Sequence, residues 1–301
     1  MKGISLLHAA VLAVWLSGAA NLGAAAVFSA FSPYHHIEVL DEGGYRTLSF
    51  NGSMETRMLR ARPLEGHFEY TEYFHMPWLW NTNIRRVLMI GLGGGSTQRS
   101  YQHHYTNVMV DTVELDAVVV GVAKQYFKVA ESATHKIHVS DGRIFLRRSP
   151  HLYDAIIMDA YTTTRYGSSI PPHLTTKEFF TIARRHLTTN GVMAYNVIGQ
   201  VQGMNADLVG ALFRTMKEVF PQVYLFPAKE SRNIVLIATR SSERFDEARV
   251  QKEGAALIRN GTVTMRDFAA RLKSFVDKPP PTASRSPVLT DDRARVEGLL
   301  R

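Results

Sequence analysis

Acidic side chains at the ends of short apolar segments are the first candidates for chemistry in this sequence. Glu114, Asp141 and Asp159 each follow a segment with the composition of a buried strand. If these segments are parallel strands of one sheet, their carboxyl ends share an edge and the acids face one crevice. A single acid after a strand is often only a helix cap. Acids after successive strands instead indicate a binding site.

A glycine-rich turn precedes these acids. The apolar segment Arg86–Ile90 runs directly into Gly91, Gly93 and Gly95, and a serine and a threonine follow that can begin a helix. Glycines allow positive φ and close approach to a ligand, while a helix N-terminus offers unpaired N–H groups. Glu114 follows at about the 20-residue spacing at which a carboxylate binds ribose hydroxyls. The pattern predicts a nucleoside-binding unit, with a turn that only packs strand on helix as the alternative.

The order of apolar segments predicts an α/β fold. Strands alternate with amphipathic helices from about residue 86 onward, which is typical of a parallel sheet flanked by helices on both faces. Before them, short strands separated by glycine turns predict a small antiparallel β cap. The predicted strands of the main sheet are Val87–Ile90, Val108–Glu114, Ile137–Val139, Ala155–Asp159, Val192–Val197 and Ile234–Ala238, and the predicted helices are Asp116–Phe127, Lys177–Leu187 and Asn205–Val219.

Composition sets outer limits on function. A chain of 301 residues with 45% hydrophobic content allows one large domain or one domain with appendages. The formal charge is +8, but basic residues form no run with interleaved aromatics, so we predict no nucleic-acid partner. The absence of cysteine excludes disulfides, thiolate metal sites and a cysteine nucleophile. The histidine pairs lack metalloprotease spacing, so we predict no metal site.

The order and spacing of the motifs resemble the spermidine synthase (polyamine aminopropyltransferase) family, especially its bacterial membrane-linked branch. The resemblance runs from about Tyr34 to Glu297 and rests on VLMIGLGGGS, VELDAVVVGVAKQYF, SDGRIFL, YDAIIMDAY, IPPHLTTKEFF and LTDDRARVE. It implies a β cap and a Rossmann-like domain of the class I methyltransferase type, usually dimeric. Such a protein binds decarboxylated S-adenosylmethionine and transfers its aminopropyl group to a polyamine or other amine acceptor.

The resemblance also implies roles for individual residues. The cofactor-binding residues would be Gly91, Gly93 and Gly95 in the turn, Glu114 at the ribose, and Asp141 with Gly142 at the adenine. The catalytic side would hold Asp159 as general base, with Tyr70 and Glu72 lining the amine site. The implied domains are an anchor or signal at residues 1–31, the β cap at 32–66, the cofactor domain at 67–243, and a helical insertion with a tail at 244–301.

Three positions depart from the family's pattern. Gly94 stands where the family has an aspartate that grips the cofactor's amino group, and Glu55 stands where a glutamine lines the pocket. Thr162 replaces the second acid of the D-S-S-D run that begins at Asp159. Asp159 alone, Glu55 or Glu72, or the two C-terminal acids could supply the missing charge. Methyl transfer from intact S-adenosylmethionine and a catalytically inactive adenosyl-binding membrane protein therefore stay open as alternatives.

The N-terminal segment is apolar and allows two interpretations. Ile4–Phe31 carries no formal charge, and at about 1.5 Å per residue one helix of this length crosses a bilayer core of about 30 Å. A basic start at Lys2 and an A-x-A site at Ala24–Ala26 also fit a secretory signal. Because an adenosyl cofactor is kept in the cytosol, we predict a membrane anchor through residues 4–31 and a cytoplasmic catalytic domain. Export after signal cleavage is the alternative.

Overall fold

The computed structural model describes residues 25–164, 167–294 and 296–300. A four-stranded antiparallel sheet precedes a seven-stranded mixed sheet that is flanked by helices. The strands are β1 (Ala25–Phe31), β2 (His36–Glu42), β3 (Tyr45–Phe50), β4 (Ser53–Leu59), β5 (Arg86–Ile90), β6 (Met109–Glu114), β7 (His135–Val139), β8 (Tyr153–Met158), β9 (Thr162–Thr164), β10 (Gly167–Ser169), β11 (Leu187–Ile198), β12 (Gln222–Pro227) and β13 (Asn233–Thr239). The helices are α1 (Ser96–His104), α2 (Ala117–Tyr126), α3 (Gly142–Arg148), α4 (Lys177–Arg185), α5 (Ala206–Lys217), α6 (Glu247–Arg259) and α7 (Phe268–Leu272), with 3₁₀ segments at Glu69–Leu79, Pro172–Leu174, Pro281–Ser284 and Val296–Leu299.

The β cap is the antiparallel sheet β1-β2-β3-β4. Strands β2, β3 and β4 are the short strands predicted ahead of the main sheet, and β1 precedes them. The turn between β3 and β4 contains Asn51 and Gly52, both with positive φ, as the tightest hairpin turns require. Ile37, Val39 and Leu48 turn inward from this sheet and pack against helix α2. The cap therefore rests on the larger sheet's first helices and closes over its carboxyl edge.

Strand β1 corrects the predicted N-terminal helix. Ala25–Phe31 pairs antiparallel with β2, from Ala25 opposite Asp41 to Phe31 opposite His36, so the apolar segment is not helical up to Phe31. The rest of the predicted span, residues 1–24, lies outside the described residues. No helix in the described ranges is long and apolar enough to cross a membrane, and the predicted membrane-anchored localisation is corrected accordingly. Hydrophobicity alone does not distinguish an apolar strand from a helix, which explains the error.

The larger sheet has the strand order β12-β13-β11-β8-β5-β6-β7. Strands β5, β6, β7, β8 and β11 are parallel, whereas β13 runs antiparallel to both of its neighbours, so the predicted all-parallel sheet is in fact mixed. The chain reverses its direction of winding at β5, which lies between β6 and β8. Ligands of open α/β sheets bind beyond the carboxyl ends of the strands at such a switch point.

Side chains on the central strands alternate between two hydrophobic cores, one on each face of the sheet. Leu88 and Ile90 pack with residues of α4 and α5 on one face. Val87 and Met89 pack on the other face with the 3₁₀ segment Glu69–Leu79 and with α6 and α7. Because successive side chains of a strand point to opposite faces of the sheet, neighbouring residues of β5 contribute to different cores.

Candidate active site

A cleft lies beyond the carboxyl ends of β5, β6 and β8, with strands β3 and β4 of the cap on its opposite side. The space it encloses is about 1230 Å³ including its open mouth. Its walls include most of the predicted site residues, namely Tyr70, Gly91, Gly93, Glu114, Asp141, Gly142 and Asp159. The structure thus brings together residues from the 3₁₀ segment, the glycine turn and successive strand ends.

The glycine turn leaves no space for side chains. Gly91 has φ +98°, and a Cβ there would lie 2.2 Å from the carbonyl oxygen of Asp159. Gly95 has φ +71°, and its Cβ would lie 2.3 Å from Cγ2 of Val129. Gly95 also precedes helix α1, so it supports the turn from behind while Gly93 lines the cleft. Close backbone approach and positive φ both require glycine here.

Glu114 faces the cleft in a fixed orientation. Its Oε2 accepts a hydrogen bond from the Leu92 amide at 3.0 Å, and its Oε1 accepts one from the Asp116 amide at 3.0 Å. Burial raises the pKa of Glu114, and backbone hydrogen bonds from Asp116, Leu92 and Gly93 only partly offset that rise. Each carboxylate oxygen has a second lone pair, so both can still accept a bond from a ligand hydroxyl. This geometry suits a pair of neighbouring ribose hydroxyls.

Asp141 lies at the far end of the same cleft and already has partners. Its Oδ1 caps helix α3 by accepting the Ile144 amide at 2.8 Å, and its Oδ2 bonds His173 Nε2 at 2.7 Å. The hydrogen bond from His173 lowers the pKa of Asp141. A Cβ on Gly142 would lie 2.3 Å from Cγ2 of Ile90, so only glycine lets α3 begin here. A ligand amino group at Asp141 has to share the carboxylate with His173, which sequence reasoning did not identify.

Asp159 is the carboxylate with the strongest perturbation in the cleft. Its Oδ2 accepts Tyr70 Oη at 3.1 Å and its Oδ1 accepts Asn196 Nδ2 at 2.8 Å. Burial raises the pKa of Asp159 from 3.8 to about 6; these hydrogen bonds oppose the rise, and the charge of Glu55 adds to it. Asn233 in turn donates to Asn196 Oδ1 at 3.0 Å. A base with a pKa near the working pH is suited to proton transfer.

Asn196 and Asn233 were missed by sequence reasoning. Asn196 lies in the buried part of β11 and is 1% exposed, and Asn233 is the first residue of β13. A buried polar side chain requires a hydrogen-bond partner, so an asparagine within an apolar run is the signal that could have found Asn196.

The other polar groups around Asp159 are either neutral or already hydrogen-bonded to the β9–β10 hairpin. Burial and the nearby Asp159 carboxylate raise the pKa of Tyr70 well above its usual value, so Tyr70 acts as a neutral hydrogen-bond donor. Thr162 directs its hydroxyl to the Ser169 carbonyl at 3.3 Å, within the β9–β10 hairpin. Glu55 lines the cleft and accepts a hydrogen bond from the Ser168 hydroxyl of this hairpin at 3.4 Å. Among the acids of the cleft, Asp159 is the one that Tyr70 and Asn196 hold in place.

Glu72 is not brought to the cleft. Its carboxylate bonds Arg271 Nε at 2.5 Å and His67 Nε2 at 2.9 Å on the other side of the 3₁₀ segment. Burial opposes ionisation of Glu72, but the bonds from His67 and Arg271 prevail and its pKa is lowered. The geometry therefore does not support the predicted place of Glu72 at the amine. The sequence around Glu72 does not indicate its pairing with Arg271, because the two residues are far apart in the chain.

The C-terminal acids do not reach the cleft interior either. Asp291 forms a bidentate pair with Arg143, at 2.7 and 2.6 Å, and accepts the Thr176 hydroxyl at 2.7 Å. Asp292 is exposed. The contacts of Asp291 join the C-terminal segment to α3 and to the start of α4, so this acid has a structural role.

The position of Gly94 is closed to an acidic side chain. The Gly94 amide donates to Thr56 Oγ1 at 2.9 Å, and a Cβ on Gly94 would lie 2.6 Å from Thr56 Cγ2 and 3.0 Å from Phe127 Cδ1. The space where a carboxylate would stand is filled by a threonine from β4 of the cap.

A buried arginine lies behind this part of the turn. The Arg99 guanidinium donates to the carbonyl oxygens of Gly94 and, at 2.8 Å, Phe127. Burial lowers the pKa of Arg99 to about 10, and no carboxylate of the described residues forms an ion pair with it. The turn therefore has the Arg99 guanidinium behind Gly94 and the Glu114 carboxylate at the amide of Leu92.

Comparisons with known proteins agree with this architecture. Residues 67–249 match the family described as "Spermine/spermidine synthase domain". The polyamine aminopropyltransferase of Vibrio vulnificus (strain CMCP6) is 28% identical over 253 residues, which cover 81% of this chain and 80% of the relative. The eEF1A lysine and N-terminal methyltransferase of Xenopus laevis is 30% identical over 175 residues, 56% of this chain and 25% of the relative. The crystal structure of a probable spermidine synthase from Corynebacterium glutamicum ATCC 13032 has a TM-score of 0.67 at 21% identity, covers 87% of this chain and 95% of that chain, and shows the fold alone.

Proposed function

The chain belongs to the spermine/spermidine synthase family, and from this premise we propose that it transfers the aminopropyl group of decarboxylated S-adenosylmethionine to an amine acceptor. Relatives named polyamine aminopropyltransferase support the proposal. The observation that carries it is Asp159, a carboxylate with a pKa of about 6 in the cleft that also holds Glu114. If Glu114 binds the ribose of the cofactor and Asp159 binds the acceptor amine, the reactive sulfonium lies between the two carboxylates.

The reaction needs a neutral amine and a place for its proton. The amine nitrogen attacks the carbon next to the sulfonium, the new C–N bond forms as the C–S bond breaks, and the sulfur leaves as a neutral thioether. The nitrogen then carries the excess proton, which Asp159 accepts. Tyr70 and Asn196 hold the two carboxylate oxygens in place during this step. Tyr34 also lines the cleft, and its exposed aromatic ring can contact a cationic acceptor chain.

A turnover assay tests the proposed function. Purified protein is incubated with decarboxylated S-adenosylmethionine and a series of linear diamines, and the products are separated by chromatography. The aminopropylated amine and the thioether are expected in equal amounts. Formation of neither product with any amine would contradict aminopropyl transfer. Thioether without the amine product would indicate hydrolysis of the cofactor instead.

The pKa of Asp159 predicts the acid limb of the pH profile. Because burial raises this pKa to about 6, the carboxylate is protonated below that pH and cannot accept the amine's proton. We expect kcat/KM to fall as pH decreases through about 6. The measurement is steady-state kinetics from pH 5 to pH 9, at about half-unit steps. The acceptor amine also titrates, so the pH dependence of the residual activity of Asp159→Asn is the control. If the acid limb persists in this variant, it belongs to the amine and not to Asp159.

We propose methyl transfer from intact S-adenosylmethionine as a second candidate. The intact cofactor ends in a carboxylate as well as an amino group, and Gly94 leaves the place of the family's aspartate without an acidic side chain. A relative named as a methyltransferase, from Xenopus laevis, supports this candidate. Without an aspartate at that position, the carboxylate of the intact cofactor meets no like charge there, and the amino group of the decarboxylated cofactor lacks that partner.

Calorimetry with the two cofactors separates the candidates. Tighter binding of decarboxylated S-adenosylmethionine favours aminopropyl transfer, and tighter binding of the intact form favours methyl transfer. Glu114→Ala provides the control, because loss of the ribose contact should weaken both cofactors equally. Unequal losses would mean that the two cofactors bind in different places.

A further inference from the structure

We propose that Arg271 is a positioning residue, which holds the segment that presents Tyr70 to Asp159. Arg271 lies in α7, in the C-terminal helical region, and does not line the cleft. The inference rests on the proposed function of Asp159 as the base. It assigns to the C-terminal helices a part in the chemistry of a site that they do not touch.

The contacts of Arg271 reach both acids that flank Tyr70. Its Nη1 donates to Glu69 Oε1 at 2.8 Å, and its Nε donates to Glu72 Oε2 at 2.5 Å. The side chains of Glu69, Glu72 and Arg271 are 0%, 11% and 15% exposed. The pKa of Arg271 is raised, because these hydrogen bonds and charges outweigh the opposing effect of its burial. One guanidinium thus pairs with two buried carboxylates on consecutive turns of the segment.

The segment itself depends on such anchoring. Glu69–Leu79 is an 11-residue 3₁₀ helix, and 3₁₀ hydrogen bonds have poorer geometry than those of an α-helix. Glu69 Oε2 also accepts the Lys229 amide at 2.7 Å, and Glu69 Oε1 accepts Tyr73 Oη at 3.1 Å. A buried carboxylate that loses its cation must become solvated or protonated. Removal of Arg271 is therefore expected to displace the part of the segment that contains Tyr70.

Tyr70 transmits this displacement to Asp159. The Tyr70 Oη to Asp159 Oδ2 distance is 3.1 Å, so a shift of about 1 Å breaks the bond. The other groups that face Asp159 are Asn196 from β11, Tyr161 after β8 and Glu55 from β4. None of these lies on the segment that Arg271 holds. Because the bond from Tyr70 lowers the pKa of Asp159, its loss should raise that pKa further.

The test measures the titration of Asp159 directly. The carboxyl ¹³C resonance of Asp159, assigned by its absence in Asp159→Asn, is followed against pH in wild type, Tyr70→Phe, Arg271→Met and the double variant. Both single variants are expected to raise the Asp159 pKa, and the double variant is expected to raise it no further than Tyr70→Phe. Arg244→Met is the matched control, because Arg244 pairs with Asp277 at 3.0 Å in the same region and is 66% exposed. It is expected to leave the titration unchanged.

Kinetics supply the second readout. Arg271→Met should lower kcat by about the same factor as Tyr70→Phe while leaving the KM for the cofactor unchanged, because Arg271 does not line the cleft. A folded Arg271→Met with a wild-type titration, or additive effects in the double variant, would overturn the proposal. If Arg271→Met does not fold, Arg271→Lys carries the test, with a smaller shift in the same direction expected and no shift overturning it. The titration needs no turnover, so it tests the inference even if the chain transfers no aminopropyl group.

Discussion

Replacement of Asp159 by asparagine is expected to lower kcat by about 10²- to 10⁴-fold, the range typical of a lost general base. Asparagine has the shape of aspartate but cannot accept the proton that the attacking amine releases. Because Asp159 sits where the amine is expected, and not at the ribose end with Glu114, binding of the cofactor should change little. Single-turnover kinetics with the decarboxylated cofactor measure the first effect, and calorimetry measures the second.

The matched control for Asp159 is Asp292→Asn. Asp292 is one of the acids that the sequence allowed as a substitute base, and it is exposed at the C-terminal end of the chain. Its replacement should leave kcat at the wild-type value. Near-normal turnover in folded Asp159→Asn would contradict the assigned role and would favour Glu55, an acid of the cleft whose charge acts on Asp159.

Replacement of Glu114 by alanine is expected to weaken cofactor binding by about 1.5 to 3 kcal/mol, which is typical of hydrogen bonds to a charged group. The Glu114 carboxylate is fixed by the amides of Leu92 and Asp116, so it binds a ligand without first having to be ordered. The thermodynamic measurement is calorimetry with the cofactor. Unchanged affinity in the folded variant would exclude this carboxylate as the ribose ligand.

Stability separates loss of binding from loss of fold at Glu114. Burial raises the pKa of Glu114 above its ordinary value of 4.5. Folding therefore favours the protonated form; that stabilisation is present below pH 4.5 and is lost as pH rises through the raised pKa. At neutral pH the ionised carboxylate costs folding free energy, which Glu114→Gln removes, but glutamine has one acceptor oxygen for the two amides of Leu92 and Asp116. These two effects oppose each other, so we expect Tm to change little while cofactor binding weakens. A Tm well below wild type would show that the glycine turn depends on both hydrogen bonds to this carboxylate.

The parts of the site that follow from local pattern were predictable from the sequence. The glycine turn and the acids Glu114, Asp141 and Asp159 all lie in one cleft because each follows a parallel strand of the same sheet. The carboxyl ends of parallel strands lie at the same edge of a sheet, so residues that directly follow these strands meet there. The predicted homodimer and domain boundaries stay predictions.

The parts that depend on distant contacts were not predictable. Glu72 was expected at the amine, but Arg271, about 200 residues away, neutralises it on the other side of the segment. The antiparallel direction of β13 depends on its short connection from β12, and β1 was read as part of a helix. Thr56 fills the space beside Gly94 from another sheet. A single sequence does not show such long-range contacts, so it indicates the residue types at a site but not their partners.

The hydrogen bond from the Gly94 amide to Thr56 Oγ1 joins strand β4 to the cofactor turn. Opening of the cap must break this bond, so a ligand that requires the closed turn also opposes opening of the cap. At a free ligand concentration of about 100 Kd this linkage amounts to about 2.7 kcal/mol. Backbone amides of β4 should then exchange with solvent deuterium about 100 times more slowly when the cofactor is bound. Amide exchange in the cap thus reports occupancy of a site on the neighbouring sheet.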